Sequence, residues 1–249
     1  VLPPHARFAR HGGDILKARR FPRARRAAVM ERKPPRRTRE RILELSLRLL
    51  NDYGEPNVNT TIIAEEMRIS PGNLYYHFKN KDDIVLCLFQ QFEKEIDRLL
   101  TVPASARAPN VEDAWFLLHL LFETIFRYRF VYRDLNNLLI NSRTLELRFK
   151  ALLEQKIAMT RWLCRGLAAH GELKAGATDI EALAVNMVVV TTWWLSYAYV
   201  RDPRHFAEPQ VASKILAQGC YQVMALTAPY LSGDARHWFE SRAAEYLNA

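Results

Sequence analysis

The residues best suited to chemistry in this 249-residue chain lie between Ser70 and Lys81, in the run Ser-Pro-Gly-Asn-Leu-Tyr-Tyr-His-Phe-Lys-Asn-Lys. Ser70 followed by Pro71 is a strong helix start, with serine as N-cap and proline at the first helical position. Leu74 and Phe78 stand four apart and make one apolar face, an anchor for the back of that helix. The other faces carry Gly72, Asn73, Tyr75, Tyr76 and His77, which are small, amide, phenol and imidazole groups. Such groups approach base edges and phosphate oxygens closely without forcing a fixed charge into a groove. The chemistry expected here is hydrogen-bonded recognition.

Those side chains need elements to hold them. A short helix is expected from Thr60 to Met67, capped by Asn59 or Thr60, with Ile63, Ala64 and Met67 on its inner face. Arg68-Ile69-Ser70 then forms a tight turn, giving the proportions of a helix-turn-helix. Ordinary helical corners share those proportions, so spacing alone leaves both readings open. Upstream, a helix is expected from Thr38, because Ile42, Leu45, Ser46, Leu49 and Tyr53 recur at helical intervals. Gly54 offers a left-handed cap and Pro56 a stop. Downstream, Asn80 caps a fourth helix with Asp82 and Asp83 in its first turn, where the helix dipole favours acids.

The stretch Thr38–Ile84 resembles the N-terminal domain of the tetracycline-repressor (TetR) family. The matching elements are Ile42 to Gly54, Asn59-Thr60-Thr61, Ala64, Ser70 to Phe78, and Lys81. The resemblance implies that Pro71, Gly72 and Tyr75 sit nearest bases, and that Thr61, Asn73, Tyr76, His77 and Lys81 contact phosphates. For His77 a plain surface or capping imidazole is the alternative. Two departures stand out. The family turn usually carries glycine where this chain has Arg68, and Ile62 occupies a position where an exposed charge is common. A left-handed Arg68 carries steric strain of about 1 kcal/mol.

Charge is unevenly placed. Lys and Arg number 36 against 27 Asp and Glu, a formal +9, yet residues 1–37 hold twelve bases and two acids. Residues 38–101 hold eight bases and eleven acids, so affinity for DNA must come from a polarised surface plus the cluster Arg36, Arg37, Arg39 and Arg41. The tail 1–37 has no apolar periodicity and is expected to be disordered. It is either a basic arm, or in part (residues 1–29) a start-site artefact ahead of Met30. It lacks the apolar stretch of a secretory signal, and Cys87, Cys164 and Cys220 are widely spaced. They read as reduced core thiols of a cytoplasmic protein, with a redox switch as the other reading.

After a loop at Thr101–Asn110, long helices are expected over about 111–129, 131–140, 144–170, 179–200, 209–231 and 235–247. The fold class is therefore all-α: a helix-turn-helix domain over 38–101 with its connecting helix, then a larger helical domain over 102–249. The resemblance implies that this second part binds an inducer and dimerises. Trp115, His119, Phe122 and Phe126 share one face, and with Phe92, Trp162, Asn186 and Trp193 they are candidates for lining a ligand pocket. Plain core is the other reading of that stripe, and a satisfied core histidine the other reading of His119. The run from Phe126 to Asp134 is similar to a signature of one regulator subgroup, and Arg133–Asp134 reads as bundle scaffolding. Ala182–Val200 holds nineteen residues without a charge. Its mid-span tryptophans and Asn186 favour a dimer core shared with 209–231 over a membrane span.

H-E-x-x-H, P-loop, G-x-G-x-x-G and G-x-S-x-G are all missing from the sequence, and the seven histidines show no ligand spacing. No enzyme activity, metal or cofactor is called for. The reading that results is a cytoplasmic, nucleoid-associated homodimer that binds a near-palindromic operator as a repressor and releases it to a small, largely apolar inducer. The alternative is a helical small-molecule sensor or enzyme whose helix-turn-helix mediates protein contacts.

Overall fold

A computed structural model describes the backbone of residues 35–101 and 107–247, and the side chains of 37–101 and 107–243. The tail expected over 1–37 falls outside these residues except for its last three. Among the described residues there are eleven α-helices and no strand, which confirms the all-α class.

Helix α1, Pro35–Tyr53, starts three residues ahead of Thr38, with Pro35 at its first position. Its buried side chains are Ile42, Leu43, Ser46, Leu49, Leu50 and Asn51, whereas Tyr53 is exposed. The buried stripe is thus wider than expected, because α1 packs against several helices at once. Gly54 ends it at φ +90°, ψ 149°, a conformation open to glycine, and its N–H still reaches the Leu50 carbonyl at 2.9 Å. A 3₁₀ turn over Glu55–Asn57 leads to α2 (Thr60–Met67) and α3 (Pro71–His77). Then come α4 (Lys81–Leu100), α5 (Val111–Arg127), α6 (Arg129–Arg133), α7 (Leu135–Asn141), α8 (Arg143–Ala169), α9 (Ala177–Arg201), α10 (Pro209–Ala225) and α11 (Gly233–Leu247). Helix α10 stops six residues short of the expected 231. Pro229 cannot donate to a continuing helix, and the chain turns through a 3₁₀ segment at Ala228–Tyr230.

Two apolar clusters hold these helices. The first joins Ile42, Leu50, Ile63, Leu74 and Phe78 of the first three helices to Leu88 and Phe92 of α4, and onward to Tyr132 and Phe149. The second gathers Trp115, Phe122, Leu163, Met187, Val223 and Phe239. Each such side chain contributes about 1.5–3 kcal/mol on burial. Cys164 and Cys220 lie in the second cluster, where burial pushes both thiols up, Cys164 to about 11. Gly219 marks a close crossing there: a Cβ on it would stand 2.7 Å from Trp194 Cδ1 and 2.8 Å from Phe122 Cζ.

Polar contacts tie α1 to α6 and α7. In the last turn of α1, Arg133 donates to the carbonyl of Asn51 (3.0 Å) and, beside the Gly54 N–H, to that of Leu50 (2.6 Å). Asp134 accepts the Glu55 N–H at 2.8 Å. Asn51 donates to the Arg127 carbonyl (2.8 Å) and accepts the Phe130 N–H (3.1 Å), spanning the break between α5 and α6. The scaffolding reading of Arg133–Asp134 describes what these side chains do here.

Helix α9 is long and apolar enough by composition to cross a membrane, but it is amphipathic in packing. Ile180, Leu183, Ala184, Met187, Val188, Thr191 and Leu195 are buried. Val185, Val189, Trp193, Tyr197 and Val200 form an exposed apolar stripe along the opposite side.

Candidate functional site

Helix α3 is presented as its residue types require. Leu74 is fully buried and Phe78 nearly so, while Pro71, Gly72, Asn73, Tyr75 and Tyr76 are exposed and His77 is half-buried. Tyr76 is 80% exposed. The Ser70 hydroxyl accepts the Asn73 N–H at 3.2 Å and caps the helix. Asn59 and Asn80 cap α2 and α4 in the same way, accepting from Ile62 and Asp83. Tyr75 is held by its hydroxyl, 3.1 Å from Thr60 Oγ1 at the start of α2, and His77 meets the Tyr76 ring edge-on.

The turn between α2 and α3 runs through Arg68 at φ 57°, ψ 44°, the left-handed region where a Cβ crowds the backbone. Its N–H reaches the Ala64 and Glu65 carbonyls, so the strained residue closes α2. Arg37 is exposed, and Arg39 stacks its guanidinium 4.7 Å over the Phe78 ring while donating to Cys87 Sγ at 3.1 Å. Thr61 is exposed at the start of α2. Lys81 stands at the N-terminus of α4, but its ammonium is engaged: it pairs with Glu55 Oε1 at 2.5 Å and donates to the Glu55 carbonyl at 3.0 Å. The Glu55 carboxylate, 9% exposed, also accepts from Asn137 of α7 at 2.7 Å. Sequence reasoning missed Glu55, because its partners lie 26 and 82 residues away.

The eight residues proposed for a ligand pocket do not meet in one cavity. Phe92 sits among Phe89, Tyr128 and Tyr132. Trp115 packs against His119 and Trp238, and His119 Nδ1 lies 2.9 Å from the Trp115 carbonyl. Phe122 is fully buried near Gly219, and Phe126 stacks near Phe206. Trp162 borders surface grooves, Asn186 is exposed, and Trp193 is 44% exposed on the α9 stripe. The residues scatter because they come from α4, α5, α8 and α9, and because Asn186 and Trp193 face outward from α9.

An interior cavity lies elsewhere, between α4, α5, α8, α9 and α10. It has a volume of about 30 Å³ and is lined by Leu100, Leu118, Leu121, Met159, Met187 and Val223 among others, together with Lys156. Lys156 is 2% exposed, and its ammonium donates to Tyr132 Oη at 2.8 Å. Burial pushes it down to about 7 and pushes the Tyr132 phenol up. A signal existed in the sequence: Leu145, Phe149, Leu152, Lys156, Met159 and Leu163 fall at helical spacing on the buried side of α8.

Comparison with known proteins agrees with this arrangement. Residues 42–88 match the family model for bacterial regulatory proteins of the tetR family, and residues 91–239 match that of a bacterial transcriptional repressor. The chain belongs to the TetR family. A TetR-family transcriptional regulator from Marinobacter aquaeolei is 35% identical, with 84% of this chain and 98% of that one covered at a TM-score of 0.75. An HTH-type transcriptional regulator of Staphylococcus aureus is 34% identical over 70 residues, which spans 28% of this chain and 36% of that relative. SmeT, repressor of a multidrug efflux pump in Stenotrophomonas maltophilia, shares the fold at 17% identity, with 79% and 92% of the two chains covered and a TM-score of 0.53. Within the TetR family α2 and α3 form the DNA-binding helix-turn-helix, so the protein is a DNA-binding transcription regulator.

Proposed function

We propose that the protein is a cytoplasmic, nucleoid-associated homodimeric repressor that binds a near-palindromic operator and releases it when a small, largely apolar ligand occupies the helical body. The exposed face of α3 carries this reading. Pro71, Gly72 and Tyr75 face outward for base contact, with Thr61, Asn73, Tyr76 and His77 around them for phosphates, on a helix whose back is anchored by Leu74 and Phe78. Arg37 and Arg39 add cations beside it, offsetting the acids of the domain. Lys81 joins the phosphate contacts by exchanging Glu55 for a phosphate oxygen at the α4 N-terminus.

The exposed apolar stripe of α9, with Tyr221 and Leu226 beside it on and after α10, is the surface we assign to the second subunit. Two recognition helices then enter successive major grooves, with half-sites roughly 34–36 Å apart. Gel retardation with the DNA flanking its own gene tests this. Wild-type protein retards the fragment, and Lys81→Ala weakens binding to all sequences and lowers the slope of log K against log salt by about 0.9 for each lost phosphate contact. Retardation that is absent at low salt refutes the regulator; an unchanged slope in Lys81→Ala refutes the role of that lysine.

A further inference from the structure

The interior cavity holds an ionisable amine that the fold alone does not explain. Lys156 is buried mid-way along α8, and no carboxylate of the described residues lies within 4.0 Å of it. Its contacts are one hydrogen bond to Tyr132 Oη and the face of the same ring at 5.0 Å. An ammonium has three donors, and a buried cation without a counter-ion is costly where a methionine of similar length would pack at no such cost. The other polar groups at the cavity are already spent: Thr160 Oγ1 donates to the Lys156 carbonyl at 2.9 Å, and Thr191 Oγ1 to the Met187 carbonyl at 2.7 Å. The remaining walls are leucine, methionine and valine, with Ala114.

We propose that this cavity binds an amphiphilic carboxylic acid, its carboxylate paired with Lys156 Nζ and its hydrocarbon body among Leu100, Leu118, Leu121, Met159 and Met187. A single cation matches a monoanion; a phosphate dianion would bring a second charge with nothing to neutralise it. The cavity as it stands has room for a water or two. Its outer wall, however, is made of side chains: Leu117, Met159 and Leu163 also border a groove of about 460 Å³ between α5 and α8. Met159, unbranched and flexible, is the residue that must turn aside for a chain to pass from groove to cavity. The identification deepens the ligand-responsive reading above and rests on it for its consequence. A carboxylate takes the two Lys156 donors that Tyr132 leaves unused and so re-aims the ammonium bonded to Tyr132, and the residue after Tyr132 is Arg133, which holds the last carbonyls of α1. Occupancy therefore acts on the element that fastens the DNA-binding head.

Titration calorimetry of the full chain with monomeric decanoate, decanol and decylamine is the test. Wild type is expected to bind decanoate at least tenfold tighter than decanol, and decylamine weakest. Lys156→Met, with its folding checked by its melting temperature, should bind decanoate and decanol alike. Met159→Trp, which fills the passage and leaves the lysine, should weaken both. Equal affinities in wild type, no binding of any of the three, or a decanoate preference that survives in Lys156→Met overturns the assignment. Gel retardation with the same samples separates the two levels. Lysine-dependent decanoate binding without DNA binding sinks the regulator and keeps the site, whereas DNA binding without decanoate binding does the reverse.

Discussion

Asn51 offers a sharp test of how the reading head is fastened. Its side chain, 6% exposed, bonds both edges of the break between α5 and α6: the Arg127 carbonyl at 2.8 Å and the Phe130 N–H at 3.1 Å. Asn51→Leu keeps the volume and removes donor and acceptor together. The Phe130 N–H is buried, and leaving it unpaired costs about 1–3 kcal/mol. The Arg127 carbonyl is partly exposed and recovers some hydration, so its bond is worth about 0.5–1.5 kcal/mol. The expected loss is roughly 2–4 kcal/mol, or about 4–16 °C in melting temperature for a chain of this size. Urea unfolding at fixed protein concentration reads the free energy, since association also contributes to stability. Hydrogen exchange at the Phe130 amide reads the bond itself. Asn141→Leu is the control, because that side chain is exposed and bonds within its own helix turn at Asn137; it should stay within about 0.5 kcal/mol. A loss below about 0.5 kcal/mol in Asn51→Leu, with Phe130 still protected, refutes the idea that this contact holds α1 to the body.

Arg68→Gly removes the left-handed strain of about 1–2 kcal/mol and adds unfolded-chain freedom worth about 0.4–1 kcal/mol, so a net gain of about 0.5–1 kcal/mol is expected in urea unfolding. A destabilised Arg68→Gly would mean that the arginine side chain outweighs its backbone. Val189→Asp puts a charge in the exposed α9 stripe and should shift the protein to monomers in light scattering while weakening operator binding; an unshifted mass would place the dimer contact elsewhere. Burial lowers Lys156 to about 7, against about 10.4 in an unfolded chain, so between those values the unfolded chain binds more protons and stability rises with pH. Lys156→Met should flatten that rise between pH 7 and 9, below the titration of the Cys164 thiol; equal slopes in the two proteins would show that the lysine does not carry it.

The helix-turn-helix was legible because its signals are local. Caps at Asn59, Ser70 and Asn80 act within three residues, and Leu74 and Phe78 share a face by helical geometry alone. The strain at Arg68 was legible only through the family resemblance, as an arginine where the family turn usually carries glycine. The interior cavity was not. Aromatic residues suggested a pocket along α5, yet those rings went into separate contacts, and the cavity formed where leucines and methionines of five helices meet around Lys156. An aromatic stripe marks a buried face but does not say which partner covers it.

Sequence alone determined the all-α class, the order of the helices and the exposed chemistry of Ser70–Phe78, since each follows from periodicity, capping and residue type within a few turns. Tertiary structure decided what those signals cannot reach. The chain breaks at Tyr128 and Asp134 because Asn51 and the Glu55 amide engage the neighbouring backbone and side chains from 79 residues away. Lys81 is tied to Glu55, Lys156 to Tyr132, and one side of α9 is left uncovered. Each of these depends on which distant groups are brought within hydrogen-bond or van der Waals reach, and that is settled by how the helices pack.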